Sequence, residues 1–427
     1  MILSDGVLYE SEKQDLILES LEDKINETLA EPFLLPETVI SALDRLSYRI
    51  EKGEFDDIIA SLDLPGVDDM KSRIICMLRE DSLRFRMEME LGAGYNPDNI
   101  KKTNPPHDMK GLSVKRVPLG TIFHISAGNV DALPAYCVAE GLITGNVNIL
   151  KLPSADNGLT IKILTALIEE EPRLKKYIHV FDTPSTDVHA MLKMASISDA
   201  VSVWGGEEAI SAIRQMAPNG IRIIEWGHKL SFCYLSGDYR KKKEELEGLA
   251  KHIMLTNGLL CSSCQTIYID TDKMEDINDF CAFFLPILEK ATSNNSAKDF
   301  GGIAETSIRK RTEEIDAVLT GKSHRIFGDG CSLIPGEDSE LVLSDLWGNV
   351  PVKPLPRENI IPVLRRKKHY LQTAGLISDD PSIKEILIKA GVTRVMSPAN
   401  MSESFLGEGH DGTYSFARFT RIVDSDL

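Results

Sequence analysis

Gly120-Thr-Ile-Phe-His-Ile-Ser-Ala-Gly-Asn-Val-Asp-Ala-Leu-Pro134 runs an apolar, β-branched segment into a small flexible turn and then into a helical pattern. The same unit recurs downstream. Strands are expected at 121–126, 147–151, 177–182, 199–203 and 221–225, with helices at 131–143, 156–169, 186–195 and 206–216 between them. Such alternation predicts a parallel sheet with helices on both faces, and ligands in such folds bind beyond the carboxyl ends of the strands.

Working outward, residues 11–92 read as polar-faced helices, with Val39, Leu43, Leu46 and Ile50 forming one apolar stripe. Gly92 to Gly111, with Pro97, Pro105 and Pro106, breaks the periodicity as a linker or surface loop. Downstream of the sheet region, helix 240–256, strand 265–270, helix 273–291, the Ile303 to Leu319 segment and strands near 323–328, 339–344 and 359–364 suit a second α/β domain. Ser415 to Val423 reads as a final strand.

At 427 residues the chain is long for one core, so two or three domains are expected. Its 48 Lys and Arg against 65 Asp and Glu leave a formal charge of -17, which argues against nucleic acid or an anionic membrane as the main partner. No apolar run reaches the roughly 20 residues of a membrane span, and the N-terminus shows no leader pattern, so a cytoplasmic protein is expected. Seven cysteines, mostly in apolar segments, point to thiols rather than a disulfide framework.

Four strand ends carry candidate site residues. Ser126 and Asn129 lie in the first turn, where an amide can donate to a developing negative charge or simply cap the helix. Lys151 ends a buried strand and suits a ribose hydroxyl or a phosphate, or else snorkels to the surface. Gly205 and Gly206 deliver a strand into a helix N-terminus, which makes either an anion site or a tight turn. Glu225 ends another apolar strand, as a general base or as half of a salt bridge.

The stretch Leu255-Thr-Asn-Gly-Leu-Leu-Cys-Ser-Ser-Cys-Gln-Thr-Ile-Tyr268 places Cys261 between a helix stop and a strand, where a thiol can face a cleft. A packed thiol is the simpler alternative. With Cys264 it forms a CxxC, but zinc needs a second pair of ligands and no other CxxC or HxxxH exists, so no metal is expected.

Together these residues resemble the aldehyde dehydrogenase superfamily. The likeness rests on Asn129 in its turn, Lys151 after Asn-Ile-Leu, the Gly205-Gly206 turn, Glu225 in Glu-Trp-Gly-His-Lys and Cys261 in Asn-Gly-Leu-Leu-Cys. The spacing is similar too, with Lys151 lying 22 residues after Asn129 and Cys261 lying 36 after Glu225. The Asn-Val-Asp-Ala-Leu-Pro-Ala-Tyr and Asn-Ile-Leu-Lys-Leu-Pro-Ser wording looks most like the acyl-CoA reductase family, which includes the fatty acid reductase subunit of bacterial bioluminescence. The likeness covers roughly residues 112–427.

The resemblance implies an α/β, aldehyde dehydrogenase-like fold of two Rossmann-like parallel-sheet domains with a small oligomerisation element. Its expected parts are an N-terminal helical region at 1–110, a nicotinamide-binding domain at 111–228, a catalytic domain at 229–396 and a C-terminal return and oligomerisation strand at 397–427. It implies reduction of an acyl-CoA or acyl-protein thioester to an aldehyde through an S-acyl Cys261. Asn129 would stabilise the oxyanion and Lys151 would hold the adenosine ribose, near the Gly205-Gly206 turn. Ser154 stands where NAD-using relatives carry a glutamate, which favours NADPH with NADH as the alternative. Glu225 would activate water in an aldehyde oxidiser, so the oxidative direction and an acyl-carrier subunit stay open as alternatives, and Glu358 is only a loose counterpart of the family's ribose-binding glutamate. A homo-oligomer and an acyl-donating partner enzyme are implied by the same likeness.

Overall fold

A computed structural model describes residues 1–60, 67–107, 109–126, 132–154, 156–292 and 325–426, with 308, 311, 312, 315 and 319 between the last two spans. The chain divides into one unit of Met1–Gly227 with Phe405–Leu427 and a second of His228–Ser404.

The first unit holds a seven-stranded sheet in the order Val7–Tyr9, Ile2–Ser4, Ile178–Phe181, Val147–Lys151, Thr121–Ile125, Ala200–Trp204 and Arg222–Trp226. The last five are parallel, as the strand–helix alternation predicts, while the N-terminal hairpin joins antiparallel at one edge. The strands 121–125, 147–151 and 178–181 are almost wholly buried because helices cover them, and the helices Gln14–Leu29 and Pro36–Glu51 contribute to the same apolar core. Two buried histidines are placed as structural groups: His124 meets Asn148 Oδ1 at 3.0 Å and His179 meets Ser4 Oγ at 2.9 Å. Burial pushes both imidazoles down to about 4, so they are neutral at ordinary pH.

The C-terminal stretch departs from its expected form. Ser415–Arg418 is a helical turn, and only Thr420–Ser425 is strand. That strand pairs antiparallel with Ser113–Pro118 of the same chain, which also takes up Ile100–Lys102, giving a small three-stranded sheet.

The second unit holds another seven-stranded sheet, ordered Ile326–Phe327, Ser332–Pro335, Asn349–Pro354, Cys264–Ile269, Leu230–Leu235, Leu371–Ile377 and Arg394–Met396. All pairings except the outermost are parallel. Two strands expected from sequence are not strands. Ile360–Leu364 is a short helix, whose Pro362 sits in the first turn where no N–H is required. Residues 339–344 form no ladder; side chains tether the segment instead, Tyr268 Oη donating to Ser339 O at 3.0 Å and Thr266 Oγ1 to Val342 O at 2.8 Å. Among the described residues no helix is long and apolar enough to cross a membrane.

Candidate active site

Helix Lys243–Thr256 buries Leu246, Leu249, Ile253 and Met254, and it stops because Asn257 takes a left-handed conformation at φ 50°. Gly258 follows at φ 81°, where an added Cβ would lie 2.8 Å from Ser344 Oγ and 2.9 Å from Leu346 Cδ2. Glycine is therefore required both by conformation and by space. Gln265 fixes this corner: its Nε2 donates to Gly258 O at 2.8 Å, and its Oε1 accepts from Ser344 N at 3.0 Å and from Ser344 Oγ at 2.8 Å.

The chain then makes a tight turn in which Leu260 N donates to Ser263 Oγ at 2.9 Å and Ser263 N to Leu260 O at 3.0 Å. Cys261 stands exposed on this turn. Ser231 Oγ donates to its carbonyl at 2.7 Å while accepting from Thr373 N at 3.1 Å, and the Nε2 of buried Gln372 approaches its Sγ at 3.5 Å. Beneath the turn, the ring of His252 accepts from Cys264 N at 3.1 Å and is pushed down to about 4 by burial, so it serves as a neutral acceptor. Leu255, Leu259 and Leu260, on the helix end and turn that lead to the thiol, are exposed. Ser231, Gln372 and Cys264 all lie at the amino ends of their strands, so in this unit the thiol sits opposite to the carboxyl-end rule used for the first sheet.

Cys264 differs from Cys261. It opens the strand fully buried, and burial raises its thiol to about 12. Among the described residues no disulfide forms, and no group of three or more His, Cys, Asp or Glu side chains is arranged to hold a metal ion.

The remaining candidates, Glu358 excepted, belong to the first unit. Ser126, Lys151, Gly205 and Glu225 fall at the carboxyl ends of four adjacent parallel strands, as the pairings Ile125 with Lys151, Ile125 with Val203 and Val203 with Glu225 require. Ser126 is buried, and its Oγ has no hydrogen-bond partner among the described residues. Lys151 donates to Ser185 Oγ at 2.9 Å, and burial lowers its pKa. Ser154 is exposed in the turn that follows. Asn129 lies outside the described residues.

Gly205 packs close to Ala209, 3.1 Å from where a Cβ would stand, while Gly206 faces open space as N-cap of helix Glu207–Met216. No side chain caps this helix, but Glu207 and Glu208 occupy its first turn and compete with any anion for its dipole. Glu225 is ion-paired: its carboxylate is held by Arg214, whose Nε and Nη2 meet the two oxygens, the second at 2.7 Å. The salt-bridge alternative is the one observed. Glu358 lies in a short turn at Arg357–Asn359 of the second unit.

Sequence reasoning did not find Ser231, Gln265, Gln372 or Ser185. The available signal was a polar residue interrupting an otherwise buried run, as in Leu371-Gln-Thr-Ala, since such a group needs a reason to be inside.

The sequence matches the acyl-CoA reductase (LuxC) family over residues 37–422. The chain belongs to this family. Its similarity to curated members is distant. It is 29% identical over 181 residues to a long-chain acyl-protein thioester reductase of Vibrio harveyi, covering 42% of this chain and 36% of that one. It is 25% identical over 329 residues to long-chain acyl-protein thioester reductase 2 of Photobacterium leiognathi, covering 73% and 65%. The match thus spans between about a third and two thirds of the length of those two LuxC relatives. Among solved structures, an indole-3-acetaldehyde dehydrogenase in complex with NAD+ superimposes with a TM-score of 0.72 at 15% identity, over 97% of this chain and 89% of that one. The fold of this LuxC-family chain is therefore that of the aldehyde dehydrogenases, and the family and fold inferred from its motifs are both confirmed.

Proposed function

We propose that this chain reduces a fatty acyl thioester, carried on coenzyme A or on a protein, to the aldehyde through an S-acyl intermediate on Cys261. The observation that carries the reading is the exposed Cys261 thiol on a turn fixed by Ser231, Gln265 and Ser263. A thiolate there attacks the thioester carbonyl and expels the donor thiol, which leaves with a proton. The exposed leucines 255, 259 and 260 suit an apolar acyl chain. The N–H of Cys261 and the amide of Asn129 are assigned to the oxyanion, at about 3–4 kcal/mol per donor in comparable sites.

The unit of residues 1–227 and 405–427 is assigned the nicotinamide. The residues there fit one: Ser126 Oγ is a buried hydroxyl lacking a partner among the described residues, Lys151 is a partly desolvated cation, and Gly206 leaves backbone open at a helix start. When bound, that cofactor supplies a hydride for the acyl carbon, which releases the aldehyde and regenerates the thiolate. Lys151 is assigned to the adenosine ribose and Gly205-Gly206 to the pyrophosphate. The small neutral Ser154 favours NADPH over NADH. No proton transfer is assigned to Glu225, because Arg214 occupies its carboxylate, and this weakens the oxidative alternative.

We further propose a cytoplasmic homo-oligomer joined through the edge strand Thr420–Ser425, which exposes Ile422 and Val423, and an acyl-donating partner enzyme. The test is intact mass after mixing the protein with acyl-CoA and no nicotinamide. A gain of one acyl group that vanishes in Cys261→Ala supports the reading, and no adduct defeats it. Adding NADPH then separates a reductase, which discharges the adduct as aldehyde, from a carrier, which keeps it.

A further inference from the structure

The pairing of the central strands of the second unit is irregular on both sides of one residue. Leu230 pairs with Leu371 and Phe232 with Ala374, so strand Leu371–Ile377 carries one extra residue opposite Ser231. On the other side Ser231 pairs with Cys264 and Phe232 with Thr266, so strand Cys264–Ile269 also carries one extra residue at that point. Side chains normally alternate between the two faces of a strand, and an extra residue breaks the alternation and re-aims the side chains around it. The residues at the two irregularities are Gln265, and Gln372 with Thr373. Gln265 holds the backbone that leads into the Cys261 turn, and Gln372 reaches the sulfur itself.

The orientation of the Gln372 amide is set from behind. Arg394 Nη1 donates to Thr373 Oγ1 at 3.2 Å, and that hydroxyl donates to Gln372 Oε1 at 3.5 Å, which turns Nε2 toward Cys261. The chain of donors therefore starts at a guanidinium and ends at a sulfur, and each bond polarises the next. A neutral thiol is a poor acceptor and a thiolate a strong one, so an N–H fixed in this way favours the ionised form.

We infer that Gln372 is the positioning residue that holds the Cys261 sulfur and stabilises its thiolate. The inference rests on the proposed function only for the use made of that thiolate. Among the described residues, the titratable groups around the turn include His252 on the helix, buried Cys264 and Cys233 on the strands, Lys229 before Ser231 with its Nζ 3.2 Å from His369 O, Arg394, Glu403, and Asp345, which is ion-paired to Arg325 at 2.5 Å. His252, held down at about 4, does not change charge over the range in which a thiol ionises.

The test is the pH profile of Cys261 alkylation by iodoacetamide, read on the peptide that carries Cys261 so that exposed Cys76 does not contribute. Gln372→Met keeps the length and removes the donor. Its midpoint should rise by about 0.5–1 pH unit, a roughly three- to tenfold slower reaction at neutral pH. Gln372→Glu should raise it at least as far, because a carboxylate opposes a thiolate. Profiles of both variants that superimpose on wild type would overturn the inference. Should Gln372→Met fail to fold, Thr373→Val, which removes the hydroxyl that orients the amide, must still raise the midpoint, and an unchanged one overturns the inference equally. No acyl donor is present in this assay. A wild type that forms no acyl adduct but shows the Gln372 shift would therefore defeat the proposed activity and leave this inference standing.

Discussion

Arg214, on the helix that follows the Gly205-Gly206 turn, binds both carboxylate oxygens of Glu225 through Nε and Nη2. A carboxylate whose two oxygens are both held by one guanidinium is committed to that contact rather than free to position a water. Glu225→Gln is therefore expected to lower the rate of aldehyde formation by less than about tenfold, whereas loss of a general base lowers rates by about 100- to 10,000-fold. Steady-state turnover of the variant decides between them.

Ser154, exposed in the turn after Lys151, is the position through which cofactor choice can be reversed. Ser154→Glu places a carboxylate where the 2′-phosphate of NADPH is proposed to lie. The ratio of kcat/KM for NADPH over NADH should fall by at least about tenfold, near 1.4 kcal/mol of differential repulsion. An unchanged ratio would move the ribose elsewhere.

Gly258 combines φ 81° with close contacts to Ser344 and Leu346. Gly258→Ala should destabilise the second unit by about 1–3 kcal/mol and slow alkylation of Cys261, because the corner that presents the turn is displaced. Thermal melting and thiol reactivity, measured on the same sample, should fall together.

Three buried histidines set the acid limit of stability. His124, His179 and His252 are each held down to about 4 in the folded chain. The unfolded chain binds a proton at each near pH 6.5 and the folded chain does not, so stability is full above about pH 6.5 and declines as pH falls toward 4. Each contributes up to about 1.4 kcal/mol per pH unit in that window. Two lie in the first unit and one in the second. Melting midpoints should thus drop between pH 7 and pH 5, and a flat profile over that range would contradict the assignment.

The outline of the first sheet was legible in sequence because its parallel strands alternate with helices and the sequence carries turn signals such as Ser126-Ala-Gly and Trp204-Gly-Gly. Of the second sheet, the strand expected at 265–270 is found at Cys264–Ile269, but most of the others were not legible. Its middle strands, Leu230–Leu235 and Leu371–Ile377, are buried on both faces and so lack the alternation that marks a strand. The apolar run at 360–364 looked like a strand and is a helix, and the tethered segment 339–344 looked like one for want of any local sign that side chains hold it. Cys261 could be singled out by its junction between helix and strand. The groups that hold it could not, because Ser231, Gln372 and Ser402, whose Oγ lies 2.7 Å from Ser262 Oγ, are remote in sequence and meet the turn only in the folded chain. Glu225 was recognised by its place in a motif, but Arg214, which holds its carboxylate, lies on a neighbouring helix without any motif of its own.

The doubled irregularity at Ser231 also bears on how this part of the chain can change over time. Both neighbouring strands carry one residue more than Leu230–Leu235 at the same level, and regular pairing resumes beyond it. Losing one of Gln265, Gln372 or Thr373 would restore plain alternation and leave the later pairs in register, so the damage would fall on the Cys261 turn and not on the core of the sheet. The length of these two segments is therefore tied to the presentation of the thiol.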